Sequence, residues 1–305
     1  MRLKGLCVAG IVVAAVLTCS YEIVKGAGAV ITVKGSDTMV NLCTAWAEAF
    51  MKKTPGTQVA VTGGGSGTGI AALINRRCDI ANASRQIKAK ELEDANNKGI
   101  EPKRVVVAID ALSIIVSAQN PVGRLTVEQI GKIYRGDVKN WRDVGGSDMS
   151  IALYGRQSNS GTYDFMKEVV MKGEYAPSLK SMNGNAQIAE AVKQDESGIG
   201  YIGVGYAKEA DGVKVLEVSS GSGMGYYSPL NVRDVKDGNY PITRPLNQYV
   251  DGMPRGAVKD FIAFELSAEG QRIVEDDGFF AIPPENQRYN DETMGRQWEV
   301  GESPL

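Results

Sequence analysis

From Ala29 onward, apolar and polar positions repeat in two alternating periods. "AVITVKGS" (29–36) is a β-branched apolar run, and "TMVNLCTAWAEAFMKK" (38–53) then sets Met39, Leu42, Cys43, Trp46 and Phe50 on one helical face. "TQVAVTGG" predicts a second strand, "GIAALINRR" a helix, "CDIANAS" a third strand and "AKELEDANNKG" a polar helix. Alternation of this kind predicts an α/β fold, a sheet covered by helices. "KRVVVAIDALSIIVSAQNP" breaks the rhythm: a long apolar run, interrupted by Asp110 and Ser113, that suits a strand leaving one lobe and entering another. Beyond it come a helix and turn in "TVEQIGKIYRGDVKNW", a strand in "SIALYGR", helices in "SGTYDFMKEVVMK" and "NAQIAEAVKQDESG", and strands in "IGYIGVGYA" and "VKVLEV". The Gly/Ser-rich "SSGSGMGYYSP" reads as a linker on the way back. "RGAVKDFIAFELSAEGQRIVEDDG" predicts a closing helix pair.

A length of 305 residues allows two lobes with their own cores. The boundaries expected are a signal segment over 1–28, a discontinuous first lobe over 29–109 plus 222–305, and a second lobe over 110–221. Arg2 and Lys4 precede an apolar stretch, Gly5 to Thr18, too short for a comfortable membrane span, which is the pattern of an export signal. Val16-Leu17-Thr18-Cys19 resembles a lipobox, with signal 1–18 and Cys19 as the lipidated residue, although Thr18 fits that pattern weakly. Cleavage after Ser20 or around Ala27-Gly28-Ala29 is the alternative. Either route places the mature chain in the periplasm or otherwise outside the cytoplasm, anchored by lipid in the first case. Cys43 and Cys78 then remain, an even pair that in an exported chain invites a disulfide; two buried small residues are the plainer reading.

Charge and composition remove several functions. The formal net charge is −2 without a long basic run, so nothing points to nucleic acid. The chain has no histidine, which excludes a Ser-His-Asp triad or a histidine-ligated metal. No cofactor and no metal are expected. Arg135-Gly136-Asp137 spells an adhesion tripeptide, but a turn after a helix explains it better.

Three segments share one design: a strand ends, a small hydroxyl-bearing turn follows, and a helix starts. They are Gly35-Ser36-Asp37-Thr38, Gly65-Ser66-Gly67-Thr68-Gly69, and Ser158-Asn159-Ser160-Gly161-Thr162. Helix N-termini carry unpaired N–H groups and a partial positive charge, hydroxyls add donors, and glycine lets a ligand approach the backbone. Each Ser or Thr taken alone reads as a cap of its own helix. Together with Arg156, four residues before Ser160, the three loops read as an anion site. "VTGGGSGTGI" (61–70) lacks the lysine of a phosphate-cradling P-loop and the spacing of a nucleophile elbow.

The motifs "VKGSDTM", "GGGSGTGI", "DIANASR", "IYRGDVKNW", "RQSNSGT", "GIGYIGVGYA" and "YPITRPL" occur in an order that resembles the phosphate-binding proteins of bacterial phosphate ABC transporters, the PstS type, over roughly 29–284. The resemblance implies a two-lobed periplasmic-binding-protein-like fold of type II, with two crossover strands as hinge and phosphate buried between the lobes. It implies a monomer that delivers phosphate to permease subunits and is not an enzyme. Carried over by position, the phosphate-binding residues are Ser36, Asp37, Thr38, Ser66, Gly67, Ser84, Arg85, Arg156, Ser160, Gly161 and Thr162. The chain departs from the family twice. Ser84 stands where many members have the aspartate that accepts the proton of phosphate, and Ser158 stands where others pair an aspartate with the arginine. Asp37 is the candidate for the acceptor role, with helix capping as the alternative. A site for sulfate, molybdate or another tetrahedral oxyanion is the second reading, and a secreted phosphoryl-transfer enzyme the third.

Overall fold

The computed structural model describes residues 28–221 and 223–294. The leader with Cys19 lies outside the described residues, as does the stretch 295–305 assigned to the first lobe. The first half of the chain alternates as its pattern predicts. β1 (Val30–Gly35), α1 (Val40–Lys53), β2 (Gln58–Thr62), α2 (Ser66–Ile74), β3 (Ile80–Ala83) and α3 (Ala89–Asn97) follow one another to β4 (Pro102–Ala111). After Leu112 the long apolar run resumes as β5 (Ser113–Ser117), so it forms two strands rather than one.

Next come β6 (Arg124–Thr126), α4 (Val127–Arg135), β7 (Ala152–Arg156), α5 (Gly161–Phe165, continued by a wide π turn over Met166–Met171), β8 (Lys180–Met182) and α6 (Asn185–Gln194). β9 (Gly198–Ile202) is followed by α7 (Val204–Glu209), β10 (Val213–Val215) and β11 (Glu217–Ser219). The return brings α8 (Val232–Lys236), β12 (Thr243–Asp251), the helix pair α9 (Gly256–Leu266) and α10 (Ala268–Asp276), and α11 (Pro284–Met294).

Two five-stranded sheets result. The first has order β2-β1-β3-β12-β4, with β1 parallel to β2 and β3, and β12 antiparallel to β3 and β4. The second has order β10-β5-β9-β7-β8, with β7 parallel to β8 and β9. The first lobe below is the first sheet with its helices, the second lobe the second sheet with its own. Two connections link them: β4 running into β5, and the return from β11 to β12. The two-lobed α/β fold expected from the sequence is therefore the fold observed.

α1 buries Leu42, Cys43, Trp46 and Phe50 on the predicted face, and the Trp46 indole donates to the Gly270 carbonyl at 2.8 Å, fastening α10 to it. Phe50 meets Phe261 of α9 edge-on at 5.2 Å. α4 starts with a reciprocal cap between Thr126 and Gln129 and stops at Gly136, whose φ of 79° only glycine adopts freely. The Arg135-Gly136-Asp137 tripeptide is that helix end.

Two sequence expectations need correction. The strand predicted through "IGYIGVGYA" ends at Ile202, because Gly203 turns the chain and the Val204 N–H is received by the buried carboxylate of Asp110 at 2.9 Å, starting α7. Cys43 and Cys78 are both buried and unbonded: Cys43 lies under α1 in the large core, Cys78 in a separate cluster with Ile70, Leu73 and Ala95. The plainer reading of that pair is the one observed.

Candidate functional site

Parallel strands deliver their loops to the same sheet edge, so the turns after β1, β2 and β3 assemble at the carboxyl ends of the first sheet. β7 does the same in the second. The two edges face each other, and the residues between them are polar yet buried: Ser36, Thr38, Ser66, Ser84, Arg156, Ser160 and Thr162 all have almost no exposure. Burying seven polar side chains is costly unless they are partnered, which marks the place as built for polar contact.

The partners cross from lobe to lobe. Thr38 Oγ1 and Thr162 Oγ1 are 3.2 Å apart. Arg156 donates to the Asp37 carboxylate in an ion pair, and to the Asn183 carbonyl at 2.9 Å. Asp37 also accepts the Gly64 N–H at 2.9 Å. The absent aspartate at Ser158 is thus made good by an aspartate of the opposite lobe. Behind Arg156, its own backbone N–H is received by Tyr201 Oη at 3.0 Å, and Tyr201 Oη meets Tyr175 Oη at 2.9 Å. Ser66 Oγ accepts the Ser84 N–H at 3.0 Å and lies 3.4 Å from Ser84 Oγ. Ser160 Oγ caps α5 by receiving the Thr162 N–H at 3.2 Å. Gly161 is required for closeness: a Cβ there would meet Ser66 Oγ at 2.4 Å and Ser84 Oγ at 2.8 Å. Capping therefore accounts for Ser160 alone, since the helices that follow the first two loops start without a side-chain cap.

Two predicted ligand residues are placed otherwise. The Gly67 N–H donates to the Asn159 carbonyl at 3.0 Å, and a Cβ on Gly65 would stand 2.6 Å from that same oxygen. Those glycines let the backbones of the two lobes touch; they hold the lobes together more directly than they present donors. Arg85 gives its guanidinium to Glu91 at 2.7 and 2.8 Å and to Asp164 of α5 at 2.8 Å. Lys88 reaches the same Asp164 oxygen at 2.7 Å. Arg85 is a clasp between the lobes, with its charge already matched. Although burial works against it, Glu91 keeps its carboxyl below the usual range because Arg85 and the Lys88 N–H hydrogen-bond to it.

One pair was missed from the sequence. Arg244 of β12 and Asp110 of β4 lie opposite each other in register and are fully buried, with two guanidinium nitrogens on one carboxylate oxygen at 2.8 and 2.9 Å. Arg244 also donates to the Ser84 carbonyl at 3.1 Å and to Thr162 Oγ1 at 2.9 Å. Burial pulls its proton affinity below the usual guanidinium range while Asp110 pushes it back up. The signal in the sequence was Asp110 itself, a charge in the middle of an apolar run.

Among the described residues no cluster of His, Cys, Asp and Glu has the arrangement of a metal site. What the arrangement offers is a buried ring of hydroxyls with a guanidinium, shared between two lobes, which is suited to surrounding a small anion.

A family model described as a PBP superfamily domain matches residues 24–269. Phosphate-binding protein PstS of Pseudomonas aeruginosa is 32% identical over 281 residues, 86% of each chain. A substrate-binding protein from Clostridium perfringens, crystallised with bound phosphate, aligns with a TM-score of 0.74 at 29% identity, covering 83% of this chain and all (100%) of that one. An ABC-type phosphate transport receptor from Vibrio cholerae aligns with a TM-score of 0.67 at 28% identity over 83% and 100% of the two chains.

Proposed function

The chain belongs to the PBP superfamily and, within it, to the PstS-type phosphate-binding proteins, and from that membership we propose that it captures inorganic phosphate between its lobes outside the cytoplasm and delivers it to the permease of an ABC importer. The observation that carries this is the convergence of Thr38, Ser66 and Ser84 from one lobe with Arg156, Ser160 and Thr162 from the other in one buried place. Closure of the lobes assembles the full set of donors, so that anion binding and the closed shape are one event.

The energetics are adequate without enzyme chemistry. Hydrogen bonds to a charged group contribute roughly 1.5–3 kcal/mol each, and micromolar affinity needs about 8 kcal/mol net. Asp37 has lone pairs beyond those used by Arg156 and Gly64, because a carboxylate offers about four acceptor sites. It is our candidate acceptor for the proton that monohydrogen phosphate carries and sulfate lacks. On this reading the chain works as a monomer with the permease subunits as partners, which the description of the Vibrio cholerae neighbour as an ABC-type phosphate transport receptor supports.

Calorimetric titration of chain freed of bound anion, first with phosphate and then with sulfate and molybdate, is the test. Tight binding of phosphate with weak response to the others supports the reading. Equal binding of all three would favour a general tetrahedral oxyanion carrier, the alternative that the hydroxyl of Ser84 keeps in view. Silence with all three would sink it.

A further inference from the structure

The Arg244–Asp110 pair has no direct part in the site described above, yet it touches that site at Thr162. Arg244 is aligned with Asp110 across the two strands that carry the chain out of the first lobe and back into it. Its Nε and Nη2 hold Asp110 Oδ2, its Nη1 holds the carbonyl of Ser84, and the Phe165 ring lies 5.2 Å from the guanidinium carbon. Asp110 uses its other oxygen to receive the Val204 N–H that starts α7. Four of the five donors of the fork thus have a buried partner, and one of them, an Nη2 hydrogen, points at Thr162 Oγ1, 2.9 Å away.

A hydroxyl has one hydrogen to give. When its oxygen accepts a bond from a guanidinium that can only donate, that hydrogen must turn away from the arginine. The open directions are Thr38 Oγ1, at 3.2 Å, and the space between the lobes. We infer that Arg244, fixed by Asp110, is a positioning residue for the anion site: it commits the Thr162 hydroxyl to donate. The consequence is chemical. An unprotonated oxygen of a tetrahedral anion finds a donor at this corner, whereas the proton of a P–OH must compete with Arg244 for the lone pairs of Thr162 Oγ1. Arg244 therefore favours an unprotonated ligand oxygen over a protonated one at Thr162. This inference rests on the phosphate-binding reading and adds the source of the site's polarity.

The test is a double-mutant cycle in phosphate affinity, read by calorimetry on the whole mature chain. The pair is removed together, as Asp110→Asn with Arg244→Met, so that no buried carboxylate is left unmatched. It is removed in chains carrying Thr162, Thr162→Ser and Thr162→Val. Loss of one charge-assisted bond's orienting effect predicts about tenfold weaker phosphate binding with Thr162 or Thr162→Ser, and less than about twofold with Thr162→Val. Thermal unfolding of the ligand-free chains checks that each variant is folded before its affinity is compared. An equal loss of affinity in every background would overturn the proposal and leave the pair a scaffold. Arg244→Lys supplies a second arm should the double replacement not fold, since it keeps the charge on Asp110 and removes the nitrogen that reaches Thr162; its loss must also depend on the Thr162 hydroxyl. If the unmutated chain does not bind phosphate at all, the functional reading fails and this inference falls with it.

Discussion

Arg156, at the end of β7, and Asp37, in the turn after β1, form an ion pair from opposite lobes, with the arginine fully buried and Asp37 largely so. The guanidinium sits where an entering anion is expected, and the carboxylate holds it there without a same-lobe aspartate. Arg156→Lys keeps one positive charge but loses the planar fork, and lysine is a poor replacement at such a site. Phosphate affinity should fall by about ten- to a hundredfold, or about 1.4–3 kcal/mol. Calorimetry reads it directly, and unchanged affinity would remove Arg156 from the site.

The same geometry gives Asp37→Asn a double signature. An amide still receives the Gly64 N–H through its oxygen but no longer matches Arg156 and cannot take a proton. Phosphate should bind more weakly while sulfate gains relative to it, because the repulsion between a carboxylate and a fully ionised anion is gone. A uniform loss for both anions would assign Asp37 to holding Arg156 alone.

Asp164 fastens α5 to the first lobe through Arg85 and Lys88, outside the ring of hydroxyls. The contact belongs to the closed shape, so its loss should act on opening. Asp164→Asn is expected to speed phosphate release by about tenfold with a smaller effect on capture, since changes within one interface appear mostly in the off-rate. Stopped-flow displacement measures both rates. An on-rate effect alone would contradict the clasp.

The strand–turn–helix units were readable because their cause is local: apolar period, glycine, hydroxyl, helix start. Ser66 and Thr162 could be placed at helix starts from their own neighbours, and the structure has them there. What decides Gly67 and Arg85 is not local. Gly67 serves the other lobe because Asn159, ninety-two residues later in the chain, lies against it, and Arg85 is claimed by Asp164 across the same gap. Arg244 and Asp110 are 134 residues apart, and their pairing follows from strand register, which neither neighbourhood encodes. The misread strand end at Gly203 has the same origin, since the group that starts α7 is Asp110.

Burial governs the two thiols. It raises the Cys43 thiol far above its ordinary value of 9.0, with Glu265 adding to the effect, and pushes Cys78 up to about 12. A thiol that stays protonated is a poor nucleophile. Chain beginning near residue 28 should therefore show almost no reaction with a thiol-specific chromogenic disulfide at neutral pH while folded, and two equivalents in denaturant. Fast native reaction of either cysteine would show that its cluster opens readily.

Glu265 of α9 gives the fold a pH dependence of its own. It is completely buried, with one oxygen receiving Gln248 Nε2 at 3.0 Å; the same nitrogen reaches Asn82 Oδ1 at 3.2 Å, and the Asn82 carbonyl holds the Ser36 N–H at 2.9 Å beside the site. Burial pushes this carboxyl well above its ordinary 4.5. Above that pH the unfolded chain releases the proton and the folded chain keeps it. The folded state then holds one more proton, so this residue lowers stability as pH rises, by up to about 1.4 kcal/mol per unit, until the folded carboxyl ionises. Glu265→Gln has no proton to lose and keeps an oxygen for Gln248. Its denaturation midpoint should lie close to that of the unmutated chain near about pH 4 and draw ahead steadily toward neutrality. Curves that stay parallel across this range would mean that Glu265 ionises in the folded chain as it does in the unfolded one, and the buried polar thread from α9 to Ser36 would then have to carry a charge.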